Sequence, residues 1–116
     1  MKHSGDIVAD FIKKIKDKSI ANGNIYFTFP PVEANFPCIS FYQIGSGSQR
    51  IDDEFVETEF TFSFDIWTED NIYSLESALD AALKELPYHV DKLGAVDISE
   101  GNVYRRNLTY RFYWNY

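Results

Sequence analysis

The sequence predicts an α+β two-layer sandwich: a mainly antiparallel sheet of about four strands, two helices packed on one face, and a long flexible hairpin. Two observations carry this. Residues 56–68 and 104–114 alternate large apolar with polar side chains, the period of a sheet buried on one face. Residues 6–18 and 71–86 space their apolar side chains every three or four positions, the period of helices with one buried side. With 116 residues, the chain has the size of one ordinary domain, and 1–116 is read as a single α+β domain.

The first helix is expected from about Asp6 to Lys18. Ile7, Val8, Phe11, Ile12 and Ile15 share one face, and Lys13, Lys14 and Lys16 fall on the other. Ser4 or Asp6 can cap its start, and lysines near its end suit the helix dipole. Asn22-Gly23-Asn24 breaks the chain. Ile25 to Phe29 reads as a short strand of good strand formers, stopped by Pro30-Pro31. After a loop from Val32 to Pro37, Cys38 to Ile44 is the next strand, with Ile39, Phe41 and Gln43 on one face.

Gly45-Ser46-Gly47-Ser48-Gln49-Arg50, followed by Asp52-Asp53-Glu54, reads as a flexible connection of about ten residues. The strand beyond it is the clearest in the chain: Phe60, Phe62, Phe64 and Ile66 face one way, and Glu57, Glu59, Thr61, Ser63, Asp65 and Trp67 the other. The second helix, about Asn71 to Leu86, carries Ile72, Leu75, Leu79, Ala82, Leu83 and Leu86 in one stripe, with Asp70 as the expected N-cap and Pro87 as the stop. Residues 89–100 are ambiguous, reading as a turn and a short strand around Ala95 to Ile98. The last strand, Tyr104 to Trp114, turns Leu108, Tyr110, Phe112 and Trp114 inward and Arg105, Asn107, Thr109, Arg111 and Tyr113 outward. The core is therefore expected where Phe60, Phe62, Phe64, Ile66, Leu108, Tyr110 and Phe112 meet Phe11, Ile15, Leu75, Leu79 and Leu83.

Composition narrows the function. Charged residues are 25%, hydrophobic 45% and aromatic 17%, with ten Phe, eight Tyr and two Trp. No apolar run approaches the roughly 18 residues of a membrane span, and the N-terminus lacks a signal-peptide stretch. The single cysteine, Cys38, excludes an internal disulfide framework and reads as buried and inert. The net charge is −7 and uneven. Residues 1–18 carry five lysines against three aspartates, residues 52–100 carry 14 acids against two lysines, and residues 101–116 carry three arginines and no acid. Such a chain is poorly suited to gripping phosphates over a broad surface.

No catalytic or metal constellation is legible. His3 and His89 have no zinc-ligand spacing. Gly45-Ser46-Gly47-Ser48 lacks the lysine and following helix of a phosphate loop. Asp52-Asp53-Glu54 lacks the spacing of a calcium loop. No cofactor is expected, and the chain is not read as an enzyme. Arg105 and Arg111 are expected to pair across strands with Glu57, Glu59 or Asp65. Trp67 and Tyr113 point away from the core, and Phe29, Phe36 and Tyr73 are hard to bury in so small a domain; aromatics left outside suit interface anchors. The candidate interface set is Gly45, Gly47, Arg50, Asp52, Asp53, Trp67, Arg111 and Tyr113.

The order of elements resembles the small tail terminator, or tail completion, proteins of tailed bacteriophages and prophages. The resemblance rests on the first helix, the proline loop with Phe36-Pro37, and the strand Ile39-Ser40-Phe41-Tyr42. It continues through the flexible connection, Phe64-Asp65-Ile66-Trp67-Thr68, the Leu/Ala helix Ser74 to Leu86 and the final strand Tyr104 to Trp114. It spans about residues 7–114. The resemblance implies a non-enzymatic virion protein of the tail or neck, assembled in the bacterial host cytoplasm. It implies a ring, commonly a hexamer, that caps the tail tube and joins it to the head-completion or connector protein. The genome would pass through the ring without sequence-specific binding, and an acidic lumen would let DNA slide. The alternative reading is a small acidic intracellular module that binds or inhibits a basic protein. A third is a ligand-binding protein or enzyme with a pocket between sheet and helices.

Overall fold

The faces of the strands decide where the helices sit. The computed structural model describes residues 4–31, 33–51, 54–99 and 101–113. Its elements are α1 (Ser4–Asp17), β1 (Ile25–Phe27), β2 (Cys38–Ile51), β3 (Glu54–Thr68), α2 (Ile72–Lys84), β4 (His89–Asp97) and β5 (Tyr104–Tyr113). The strands form one five-stranded sheet in the order β1-β2-β3-β5-β4. β1 runs parallel to β2, and the other pairs are antiparallel. The α+β sandwich with both helices on one face is as expected.

The core is aromatic and lies between that face and α1. Phe11 is fully buried. Its ring meets Phe41, Phe62 and Phe64 edge-on at 5.0, 5.3 and 5.1 Å and stacks over Phe112 at 5.8 Å. Edge-to-face pairs set the positive rim of one ring against the negative face of another. Ile15, Leu79, Leu83, Leu108 and Tyr110 complete the cluster, with Leu75 half-buried at its margin. The expected core is the observed one.

Four local expectations are corrected. Residues 45–51 are not a loop: β2 continues to Ile51 and pairs with β3 down to Ile51↔Glu54. Gly and Ser signal flexibility when read alone, but backbone pairing with the facing strand holds them in a ladder. The hairpin connection shrinks to Asp52-Asp53, which lies outside the described residues. β1 ends at Phe27, because Thr28 takes a positive φ of 69°. Residues 89–97 form a full strand, paired with β5 from His89↔Tyr113 to Asp97↔Arg106. Its alternation was hidden by an extra residue, Leu93, between Lys92↔Tyr110 and Gly94↔Thr109. The N-cap of α2 is Asn71, whose side chain accepts from the amides of Tyr73 and Ser74 at 3.0 and 3.2 Å.

α2 is tied to the sheet by charge as well as by apolar contact. Glu76 bonds both Arg106 and Lys92. Asp80 accepts from Lys92 at 2.9 Å and from the Tyr110 hydroxyl. Burial, with Asp80 beside it, pushes the Tyr110 phenol up from its ordinary value. Glu76 and Arg106 are nearly buried, so each depends on the other for its charge to be satisfied.

Candidate assembly interface

The β2–β3 hairpin outruns the sheet. β5 reaches Glu59 and β1 covers only Ile39 to Phe41, so beyond Gly47↔Glu59 the two strands have no third strand beside them among the described residues. Four described residues of β2 (48–51) and five of β3 (54–58) project, roughly 15 Å of two-stranded ribbon. The protein measures 53 × 25 × 23 Å. An isolated two-stranded hairpin is marginal in water. Two irregularities mark the root of this arm: Ile44 is the extra residue between Gln43 and Gly45, and Thr58 the extra residue opposite the step from Gly47 to Ser48. Such bulges twist and re-aim a ribbon. Gly45 lies exposed at the first bulge. Gly47 sits under the Glu59 side chain, where a Cβ would come within 3.2 Å of its carboxylate. Arg50 lies in β2, with its side chain outside what the structure describes.

The outer face of the sheet carries the expected cross-strand pairs. Arg105 donates to Asp65 at 2.7 Å and its guanidinium lies 4.8 Å from the centre of the Trp67 ring. Arg111 donates to Asp91 at 3.1 Å and approaches Glu59 at 3.8 Å. That bond from Arg111, with a further one from His89, holds the Asp91 carboxyl below its ordinary range. Tyr113 bonds Asp91 at 3.3 Å and lies against His89, ring centres 4.7 Å apart. The arginines therefore serve the sheet's own acids.

Trp67 and Tyr113 are not neighbours. Tyr113 pairs with Glu59 at the root of the arm, and Trp67 lies eight residues further along β3, at the opposite end of the sheet. There Trp67, Phe36, Ile98, Val103 and Arg105 line an open cleft of about 290 Å³. A second cleft of similar size opens at the same end, on the helix side, lined by Asp70, Asn71, Ile72, Tyr73, Asp97, Ser99 and Tyr104. Phe29 (72% exposed), Phe36 (40%) and Tyr73 (62%) stay outside, as expected. Phe27, also 72% exposed, was missed, because a strand Phe beside Ile25 and Tyr26 reads as core. Leu93 and Val96 on the edge strand β4 were missed for the same reason that β4 was.

The space between α2 and the sheet holds a cavity of about 50 Å³ at Asp80, Lys84, Val90, Lys92 and Tyr110. That is far below the size of a ligand pocket. Among the described residues, no group of three His, Cys, Asp or Glu could hold a metal ion, and no helix is long and apolar enough to cross a membrane. Cys38 is fully buried, and burial pushes its thiol up to about 11.

No protein-family model matches the chain, and no curated protein matches it. The fold is found among solved structures. A chain from a structure of the virion of a native gene transfer agent (GTA) particle superposes with a TM-score of 0.64 over 95% of both chains, at 13% identity.

Proposed function

We propose that this chain is a virion structural protein of a phage, prophage or gene transfer agent, and within that class a tail terminator. The observation that carries the proposal is the fold likeness to a virion chain along nearly the whole of both molecules. The free arm is consistent with it. A ring requires unlike surfaces on one subunit to meet. This chain has a projecting ribbon at one end and an aromatic cleft at the other. In this reading the arm reaches a neighbouring subunit, and the end carrying Trp67 and Phe36 stays open to the tail tube or the connector. The role asked of the protein is shape and contact, with no chemical step.

The reading is tested by native mass spectrometry and negative-stain microscopy of the purified chain, alone and added to purified tail tubes. Closed rings with a central hole, and tubes that stop growing when capped, are expected. A chain that stays monomeric at high concentration and fails to bind tube ends contradicts it.

A further inference from the structure

The sheet has two open edges, and they differ. On one side β4 is the last strand, with no neighbour at its outer edge among the described residues. On the other, β1 covers β2 only as far as Phe41, whose carbonyl accepts from the Thr28 amide at 2.8 Å. From Tyr42 onward β2 has no strand on that side among the described residues. An open edge presents backbone N–H and C=O groups that another strand can take up, and proteins guard such edges with prolines and outward charges. Neither residues 42–48 nor β4 holds a proline. Two charged side chains of β4 are turned to their own chain, Asp91 taking Arg111 at 3.1 Å and Lys92 donating to Asp80 at 2.9 Å. Large apolar side chains lie exposed on both edges: Tyr42 (39%) and Ile44 (52%) on β2, Leu93 (50%) and Val96 (57%) on β4.

We propose that the open edge of β2 in one copy pairs antiparallel with β4 of the next, so that one sheet runs on from subunit to subunit. This rests on the ring-forming reading above. A second copy fits because the two edges are complementary. β2 is antiparallel to β3, β3 to β5 and β5 to β4, so β2 and β4 run in opposite directions. Copies turned about an axis along the strands therefore meet antiparallel, and unlike edges join, as ring closure requires. The faces match as well. Tyr42 pairs with Ser63 and Val96 with Asn107, and Asn107 bonds Ser63 at 2.7 Å, so Tyr42 and Val96 share the helix-free face. The register follows from β1. Tyr42 is level with Gly94 through Ser63 and Thr109. Since β1 holds the edge through Phe41, the neighbouring β4 has to sit about two residues further towards the arm, which sets Val96 opposite Tyr42, a β-branched side chain against an aromatic one. Such a pairing is about 20 Å long and about 10 Å thick, whereas a stable interface takes about 800 Å² per partner. A lone dimer is therefore weak, and a closed ring holds each copy at both edges at once.

Cross-linking tests this. Within one chain Tyr42 and Val96 are three strand spacings apart, about 14 Å, beyond the reach of a disulfide. A bond between Tyr42→Cys and Val96→Cys therefore joins two copies, and Cys38 is fully buried and does not compete. The doubly substituted chain, assembled and then treated with an oxidant or a short thiol cross-linker, should give a ladder on a denaturing gel that ends at the subunit number of the ring. A mixture of the two single variants should give dimers, and each alone should stay monomeric. Val96→Lys should raise the concentration for half-assembly about tenfold or more, while Lys16→Glu, on the exposed face of α1, should leave it within about threefold. Circular dichroism checks that each variant folds. Rings that yield no ladder while Val96→Lys assembles normally, or single variants that each cross-link to themselves, overturn the inference and leave the terminator reading standing. Amides of β4 that gain protection from exchange only when tail tubes are added overturn it in favour of a strand from the tube. An original chain that never assembles, even on tail tubes, removes the terminator reading and this inference with it.

Discussion

The two halves of β3 make opposite use of the same strand. From Glu59 to Thr68 it lies between β2 and β5, with Phe60, Phe62, Phe64 and Ile66 under the helices at 0–1% exposure. From Glu54 to Thr58 it has only β2 beside it. The first half draws its stability from a core that no loop can replace, and the second has none of those contacts. One strand thus joins a packed body to a two-stranded arm that has only its partner strand beside it among the described residues.

The comparison is broken most strongly from the body. Phe62→Ala should cost about 3–5 kcal/mol in a denaturant titration, as buried Phe truncations do. A cost below about 1 kcal/mol would mean the aromatic face is not the core. The next effect is at Cys38, at the foot of β2. Its thiol is raised in the fold from an ordinary 9.0 to about 11, so its stabilising contribution is complete below about pH 9 and is lost as pH rises towards 11. Up to about 2 kcal/mol should disappear over that window, and Cys38→Ser or Cys38→Ala should flatten it. Alkylation at pH 8 should require unfolding. Asn71→Ala should cost about 1 kcal/mol, the ordinary value of an N-cap, while Asp70→Ala should change little. The smallest stability effect is expected at the arm. Replacing residues 48–58 by Asn-Gly, a turn that matches strand twist, should leave the midpoint nearly unchanged and abolish ring formation. Rings that survive this replacement would separate the arm from assembly.

Where a physical signal was local and periodic, it could be read directly from the sequence. The Phe alternation on β3 and β5 and the stripes on α1 and α2 placed the core residue by residue, and the surplus of outer-face acids placed Arg105 and Arg111 in cross-strand pairs. What could not be read depended on tertiary pairing. The Gly-Ser run of β2 is held by its partner strand. The single bulge at Leu93 scrambled the period of β4. Asn71 rather than Asp70 caps α2, because the helix starts at Ile72, the first residue of its apolar stripe, one residue later than the expected Asn71. For the candidate interface, Trp67 and Tyr113 were rightly placed on the outer face, but alternation gives a face and not a position along it. Their separation to opposite ends of the sheet came only from the register of β3 with β5.

Hydrogen exchange along β2 and β3 most directly tests the claim that body and arm differ in kind. In the monomer, the amides of 60–66 should exchange only through global unfolding, while those of 48–51 and 54–58 should approach the unprotected limit. On assembly, the arm should gain protection and the body should stay as it was. Equal, strong protection of arm and body in a verified monomer would contradict the account.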